Sequence, residues 1–216
     1  MSAPDDDALM RAYAQGDARA FEQLYARHQA ALYRYVRRVL GREAGTQADE
    51  VFQDTWLRVV HARASWSPQG ATFRTWLFTI AHHRAIDRLR VSGREVSTTT
   101  EDDDEREPWQ PADGAAAWSL WPAAAAVSHE DAVADKTFWR AAGQRLLDCI
   151  EGLPAAQRSV FLLHHEDGLS LDELSRALEL GFETAKSRLR YAMNKLRVCM
   201  GAYLPASRLT SMEELS

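Results

Sequence analysis

This 216-residue sequence predicts an all-α protein of two small helical domains, joined by an acidic flexible linker, with a helix-turn-helix in the second domain. Three observations lead there. Apolar residues recur three and four apart before Val91 and again after Lys136, the period of a helix with one buried side. Between Val91 and Asp135 that period dissolves into acids, prolines and alanines. Finally, Ser170-Leu171-Asp172-Glu173 spells a capping box, followed by two helical stretches separated by a tight turn. The boundaries drawn from these signals are 1–94, a linker at 95–136, a second domain at 137–200 and a tail at 201–216.

Asp5-Asp6-Asp7 is placed to cap a short helix carrying Leu9, Met10 and Tyr13. Asp17 opens a longer helix through Phe21, Leu24, Tyr25, Leu32, Tyr35, Val36, Val39 and Leu40, stopped by Gly41 and Gly45. Its far end is basic, with Arg34, Arg37, Arg38 and Arg42. The third helix has an unbroken stripe of Val51, Phe52, Thr55, Trp56, Val59 and Val60, and an acidic opposite face of Glu50, Gln53 and Asp54. Asp49 and Glu50 suit the positive end of the helix dipole. Asp54 lies beyond the first turn, so the acids also read as an exposed patch for a basic partner.

After a breaker-rich loop, Ser67-Pro68-Gln69-Gly70, the stretch up to Arg90 reads as one helix. Phe73, Trp76, Leu77, Ile80 and Ala81 share a stripe, while Trp76, Thr79, His83, Asp87 and Arg90 run along a polar-edged face and Arg84 and Arg88 form a further pair. Aromatic rings beside cations suit unpaired nucleic acid, because rings stack on bases and arginines meet phosphates. An amphipathic core helix with a solvated basic face has the same pattern.

The linker would reach about 150 Å stretched, or roughly 35–40 Å as a coil. Trp109, Trp118 and Trp121 are unusual for a passive connector. Order returns with Phe138, Leu146, Leu147 and Ile150, and Pro154 opens a helix through Val160, Phe161 and Leu163 that Gly168 ends. The capping-box helix carries Leu171, Leu174, Ala177 and Leu178. A last helix, from about Phe182 to Val198, turns Ala185, Leu189, Met193 and Leu196 inward, with Lys186, Ser187, Arg188 and Arg190 outward. Two helices around a tight turn, the second basic at its N-terminal half, describe a helix-turn-helix.

Charge follows the same division. Residues 21–94 carry net +6, 95–142 net −8 and 182–200 net +4, within an overall −5. The overall sign argues against indiscriminate nucleic-acid binding, and the basic, acidic, basic order along the chain is an organised one. No apolar run is long enough to cross a bilayer, and the acidic N-terminus lacks the order of a signal peptide. A cytoplasmic protein is expected, with Cys149 and Cys199 as free or buried thiols. No phosphate loop, GxSxG, HExxH or CxxC occurs, so neither catalytic residues nor cofactors are expected. Neighbours on a helix diverge by about 100°, so His82-His83 and His164-His165 are poor chelators and no metal site is assigned.

DEVFQDTWLRVV, ATFRTWLFTIAHHRAIDRLR and LPAAQRSVFLLHHEDGLSLDELSRALELGFETAKSRLRYAMNKLR resemble, in that order, bacterial sigma factors of the extracytoplasmic-function group, two-domain members of the sigma-70 family. The resemblance implies a factor that binds core RNA polymerase and directs it to promoter DNA, with an anti-sigma factor as a candidate further partner. It implies polymerase contacts at Asp49, Glu50, Gln53 and Asp54. For recognition and melting of the −10 element it implies Trp66, Phe73, Arg74, Trp76, Thr79, His83, Arg84, Asp87, Arg88 and Arg90. For the −35 duplex it implies Glu183, Thr184, Lys186, Ser187, Arg188 and Arg190. The acidic linker would thread the polymerase's RNA exit path.

Five positions depart from the family's usual pattern. Gln47 stands where Asp is common, His83 where Asn is frequent, Glu179 where the turn usually has Gly, Gly181 where Ser often caps, and Glu183 where Gly opens the recognition helix. The rival reading is a helix-turn-helix regulator of duplex DNA that is no polymerase subunit. The aromatic-basic helix separates the two, since a duplex-only binder has no need of it.

Overall fold

A computed structural model of the chain describes residues 4–42, 44–68, 71–92 and 132–201, with side chains from Phe138 onward in the last stretch. The expected linker up to Asp131, its three tryptophans and all but the first residue of the expected tail lie outside the described residues. Within them the chain forms helices only.

In the first domain α1 spans Asp6–Ala14, α2 Ala18–Leu40, α3 Gly45–Ala62 and α4 Phe73–Val91. Each cap is local. The carboxylate of Asp5 accepts from the Ala8 amide, that of Asp17 from Arg19, and the Thr72 hydroxyl oxygen from Thr75, meeting amides that a helix start leaves orphaned. The other two acids of the N-terminal run act at longer range. Asp7 accepts from the Phe73 amide at 2.7 Å, capping α4 from α1, and Asp6 holds Arg27 and His28 on α2. Leu24, Leu32, Val36 and Val39 of α2 share a core with Trp56 and Val59 of α3 and Leu77, Phe78 and Ala81 of α4.

In the second domain α5 spans Ala132–Glu151, α6 Ala155–His165, α7 Leu171–Ala177 and α8 Phe182–Met200. The capping box forms in full: the Glu173 amide donates to the Ser170 hydroxyl, and the Ser170 amide donates to the Glu173 carboxylate. The turn after α7 closes with Leu180 N–H on the Ser175 carbonyl and Glu179 N–H on that of Arg176, a Schellman pattern. Glu179 takes φ +53° there, which costs an L-residue roughly 1–2 kcal/mol relative to glycine.

One sequence expectation is corrected. Cys149 on α5 and Cys199 on α8 are not free thiols but form a disulfide, with Cα atoms 5.9 Å apart. The pair was hidden because the two cysteines are 50 residues apart and meet only once α5 lies along α8.

The two domains pack on each other, α2 against α6 and α4 against α7. Arg158 of α6 sits at the join. Its guanidinium donates to the Arg38 and Val39 carbonyls at the end of α2, at 3.2 and 3.1 Å. It also donates to the Glu151 and Leu153 carbonyls at the end of α5, both at 2.8 Å. Arg42 adds its backbone amide and guanidinium to Glu151, and ion-pairs with Asp148.

The disulfide closes a long loop, for which chain entropy predicts about 4 kcal/mol. Reduction should therefore lower the unfolding free energy of the second domain by roughly 2–4 kcal/mol, measured by denaturant titration with and without reductant. The Cys149→Ser variant should show the lowered value in both conditions.

Candidate nucleic-acid interface

The expected site residues lie on three surfaces. On α3, Asp49 and Gln53 are exposed, Asp49 accepting from the Tyr33 hydroxyl at 2.8 Å. Glu50 and Asp54 are turned toward α4: Glu50 pairs with Arg88 at 2.8 Å, and Asp54 takes Arg84 and, at 3.5 Å, Arg58. The acidic patch is thus half neutralised by α4. For the same reason Arg84 and Arg88 point to α3 rather than into an open basic face.

On α4 the aromatic residues separate into two kinds. Phe73 is wholly buried, packed against His28, Trp66 and Trp76, so the expectation that it meets DNA is corrected: its ring has no free face. Trp66 and Trp76 are half-buried with ring centroids 6.4 Å apart. Trp76 also lines a surface groove with Asp54, Leu57, Arg58, His61 and Ile80. Thr79 donates its hydroxyl to the Thr75 carbonyl, while Asp87 and Arg90 are exposed.

The remaining side of α4 meets the second domain. His82 Nδ1 lies 3.1 Å from the Tyr35 hydroxyl, and loss of solvent, then His83, Arg188 and Arg90, push its pKa down to about 3. His82 is therefore neutral at pH 7. His83 Nε2 lies 3.8 Å from the Glu179 carboxylate. Asp167 is buried among Arg74, Arg34 and Arg38, yet burial outweighs these cations and pushes its carboxyl up to about 6. The residue sequence reasoning missed is Arg158. A single arginine in LPAAQRSVF carries no periodic signal.

On α8, Glu183 and Lys186 are exposed and 3.6 Å apart. Ser187 donates to the Thr184 carbonyl at 3.0 Å, and Arg190 lies 5.2 Å from the Tyr191 ring centroid. Arg188 is half-buried, and burial lowers its pKa. The helix is anchored by Ala185, Ala192, Leu196 and Met200, with Leu189 and Met193 only half-buried. Among the described residues no cluster of three His, Cys, Asp or Glu offers a metal site, and no helix is long and apolar enough to cross a membrane.

Residues 24–95 match the family model of sigma-70 region 2, and residues 143–196 that of sigma-70 region 4. Over 197 residues the chain is 32% identical to the ECF RNA polymerase sigma factor SigK of Mycobacterium sp. (strain KMS), covering 91% of each protein. Over 200 residues it is 32% identical to SigK of Mycobacterium tuberculosis (strain ATCC 25177 / H37Ra), covering 91% of this chain and 94% of the relative. Among solved structures it superposes on CnrH, in complex with the cytosolic domain of CnrY, with TM-score 0.59 and 27% identity over 92% of this chain and 99% of that one. The fold is also that of the sigma factor RpoE in complex with the anti-sigma factor NepR from Bartonella quintana, with TM-score 0.55 and 22% identity over 83% and 96%.

The raised pKa of Asp167 has a defined sign. The folded state holds this proton more tightly than the unfolded chain, so the stabilisation is complete at low pH and is lost as pH rises through about 6. On acidification from about pH 7 to 4.5, the wild type should gain roughly 2 kcal/mol relative to Asp167→Asn. Parallel denaturant titrations check this, and two curves of equal slope against pH would refute it.

Proposed function

We propose, for a chain that belongs to the sigma-70 family and is a sigma factor of its extracytoplasmic-function group, that three separate surfaces divide the work of transcription initiation. The protein binds core RNA polymerase and directs it to promoters, the first domain serving the −10 element and the second the −35 duplex. It has no enzymatic activity of its own and works in the cytoplasm. An anti-sigma partner is part of this reading, supported by the relatives seen in complexes.

The observation that carries the division of labour is the split of charge on α3 and α4. Asp49, Glu50 and Gln53 are exposed, with Asp54 partly covered beside them, and form the polymerase surface. Trp66, Trp76, Thr79, His83, Asp87, Arg90 and Arg74 form the −10 surface, where rings receive unstacked bases and cations meet phosphate. Arg84 and Arg88 hold this surface against the polymerase surface, and Phe73 supports the tryptophans from below. Capture of an unstacked base on Trp76 offsets the few kcal/mol that unpairing costs. On α8, Lys186 and Arg190 meet phosphate, and Glu183, Thr184, Ser187 and Arg188 line the edge that enters the major groove.

Run-off transcription with core polymerase on genomic fragments tests the whole reading, and no promoter-specific product would refute it. The pairing pattern selects the variants that test the residue roles. Charge reversal at Glu50 or Asp54 would set Lys beside Arg88 or Arg84 and disturb the fold. Asp49→Lys with Gln53→Lys avoids this. That double variant should bind core polymerase about tenfold or more weakly with unchanged helicity. For α8, Lys186→Ala should weaken −35 duplex binding evenly across base variants and reduce the salt slope by about one. A change at one base position only would make Lys186 a base reader instead.

A further inference from the structure

The first turn of α8 holds two exposed side chains that serve no packing role. Phe182 is 42% exposed and lies outside the apolar core, whereas each other phenylalanine is buried or half-buried. Glu183 follows it, its side chain 82% exposed and 3.6 Å from the Lys186 ammonium. Both members of that pair are well solvated, so it holds the carboxylate only weakly. Glu183, Lys186, Ser187 and Arg190 fall three and four apart on the side of α8 opposite Ala185, Ala192 and Leu196. Glu183 also stands where the family's usual residue is glycine, which has no side chain to read a base. Any preference it confers is this chain's own.

A carboxylate facing DNA is repelled by phosphate, and it accepts hydrogen bonds without donating any. In the major groove guanine offers the acceptors N7 and O6, thymine the acceptor O4, and adenine sets its N7 acceptor beside its N6 amino group. Cytosine presents a donor, its N4 amino group, with no acceptor next to it. A phenyl ring has no hydrogen bond to give or take, and the group it matches in the groove is the C5 methyl of thymine.

We propose that Phe182 and Glu183 are specificity-determining residues of α8. The carboxylate accepts from a cytosine amino group and the ring covers a thymine methyl, so that this turn selects pyrimidines in the −35 duplex. The proposal rests on the reading of α8 as the −35 helix and names the base edges that its first turn takes. Lys186 and Arg190, on the same side as Glu183, supply the phosphate contacts that offset its repulsion. When the cytosine amino group takes the carboxylate, the Lys186 ammonium is released to phosphate.

The test uses the full chain assembled with core polymerase and a pool of duplex promoter templates randomised over the −35 segment, from which bound templates are sequenced. The wild type should favour cytosine at one position and thymine at another, each by about fivefold or more. Glu183→Ala should flatten the cytosine preference and spare the other. Glu183→Gln should move it from cytosine to adenine, whose N6 and N7 an amide matches. Phe182→Ala should flatten the thymine preference only. Replacing that thymine by deoxyuridine, which lacks only the methyl, should weaken wild-type binding about threefold and leave Phe182→Ala unaffected.

If Glu183→Ala tightens binding evenly and leaves the base preference unchanged, Glu183 is a repulsive charge at a helix start and its reading role is overturned. Equal wild-type binding to thymine and deoxyuridine templates overturns the role of Phe182 without any change to the protein. Lys186→Ala separates these failures from failure of the α8 reading itself. If it weakens −35 binding while both first-turn variants keep the wild-type profile, the proposal alone is overturned. If none of the three variants alters −35 binding, α8 does not meet that duplex, and the proposal falls with the reading.

Discussion

A helix that ends inside a protein leaves carbonyl oxygens without partners, and in this chain two such ends are met by one side chain. α2 stops at Gly41, whose φ of +88° turns the backbone out of the helix, and α5 stops at the Gly152-Leu153-Pro154 break. The Arg158 guanidinium lies between them and donates to two carbonyls on each side. Its planar fork suits this task in a way that the single point of a lysine ammonium does not. A buried carbonyl left unpaired costs about 1–3 kcal/mol, so the relative placement of the two domains depends on this group. Gly41 is needed as well, because a Cβ there would come within 3.1 Å of the Glu151 carboxylate, which accepts from the next amide. Tyr35, Ser159 and His82 then pack into the space that this alignment creates.

Electrostatics explains how one helix serves several surfaces. α4 sends Arg84 and Arg88 to the carboxylates of α3, turns His83 and Arg74 toward the second domain, and leaves Asp87 and Arg90 in water. Its aromatic residues sit near the N-terminal end, where Asp7 fixes the first turn from α1. α3 and α4 thereby form one electrostatic unit: a partner that engages Asp54 also changes the field at Arg84. In space, Arg27, Arg38, Arg84 and Arg88 each have a carboxylate partner from another helix or loop.

Most of the helices were legible because their signals are local. The stripe through Val51, Trp56 and Val59, the capping box at Ser170 and Glu173, and the stops at Gly41 and Gly168 depend only on neighbours a turn away. What was not legible depends on which helices meet. Phe73 shares its spacing with Trp76, yet one is wholly buried and the other half-exposed, because α1 and α2 cover only the first. Glu50 and Asp54 have the same pattern whether they are solvated or paired, and only the approach of α4 decides. The cysteines, lacking any motif, gave no local sign of a bond that needs α5 beside α8. The partnership of His83 with Glu179 was equally hidden, although each stood out as a departure from the family pattern.

Helix α8 is held at both ends. At its start the turn through Glu179 and Leu180 is closed by two backbone hydrogen bonds to α7. At its end the disulfide ties it to α5, and Ala185, Ala192 and Leu196 are buried along its length. Motion of α8 relative to the rest of its own domain would break a covalent bond or open an apolar core. Motion of the whole second domain against α2 and α4 instead breaks hydrogen bonds and ion pairs, several of them partly exposed, that water and phosphate can replace. Interfaces of this polar kind are where domains of one chain move first. Motion between the two domains therefore belongs at the Arg158 join, with α5, α6, α7 and α8 travelling as one body.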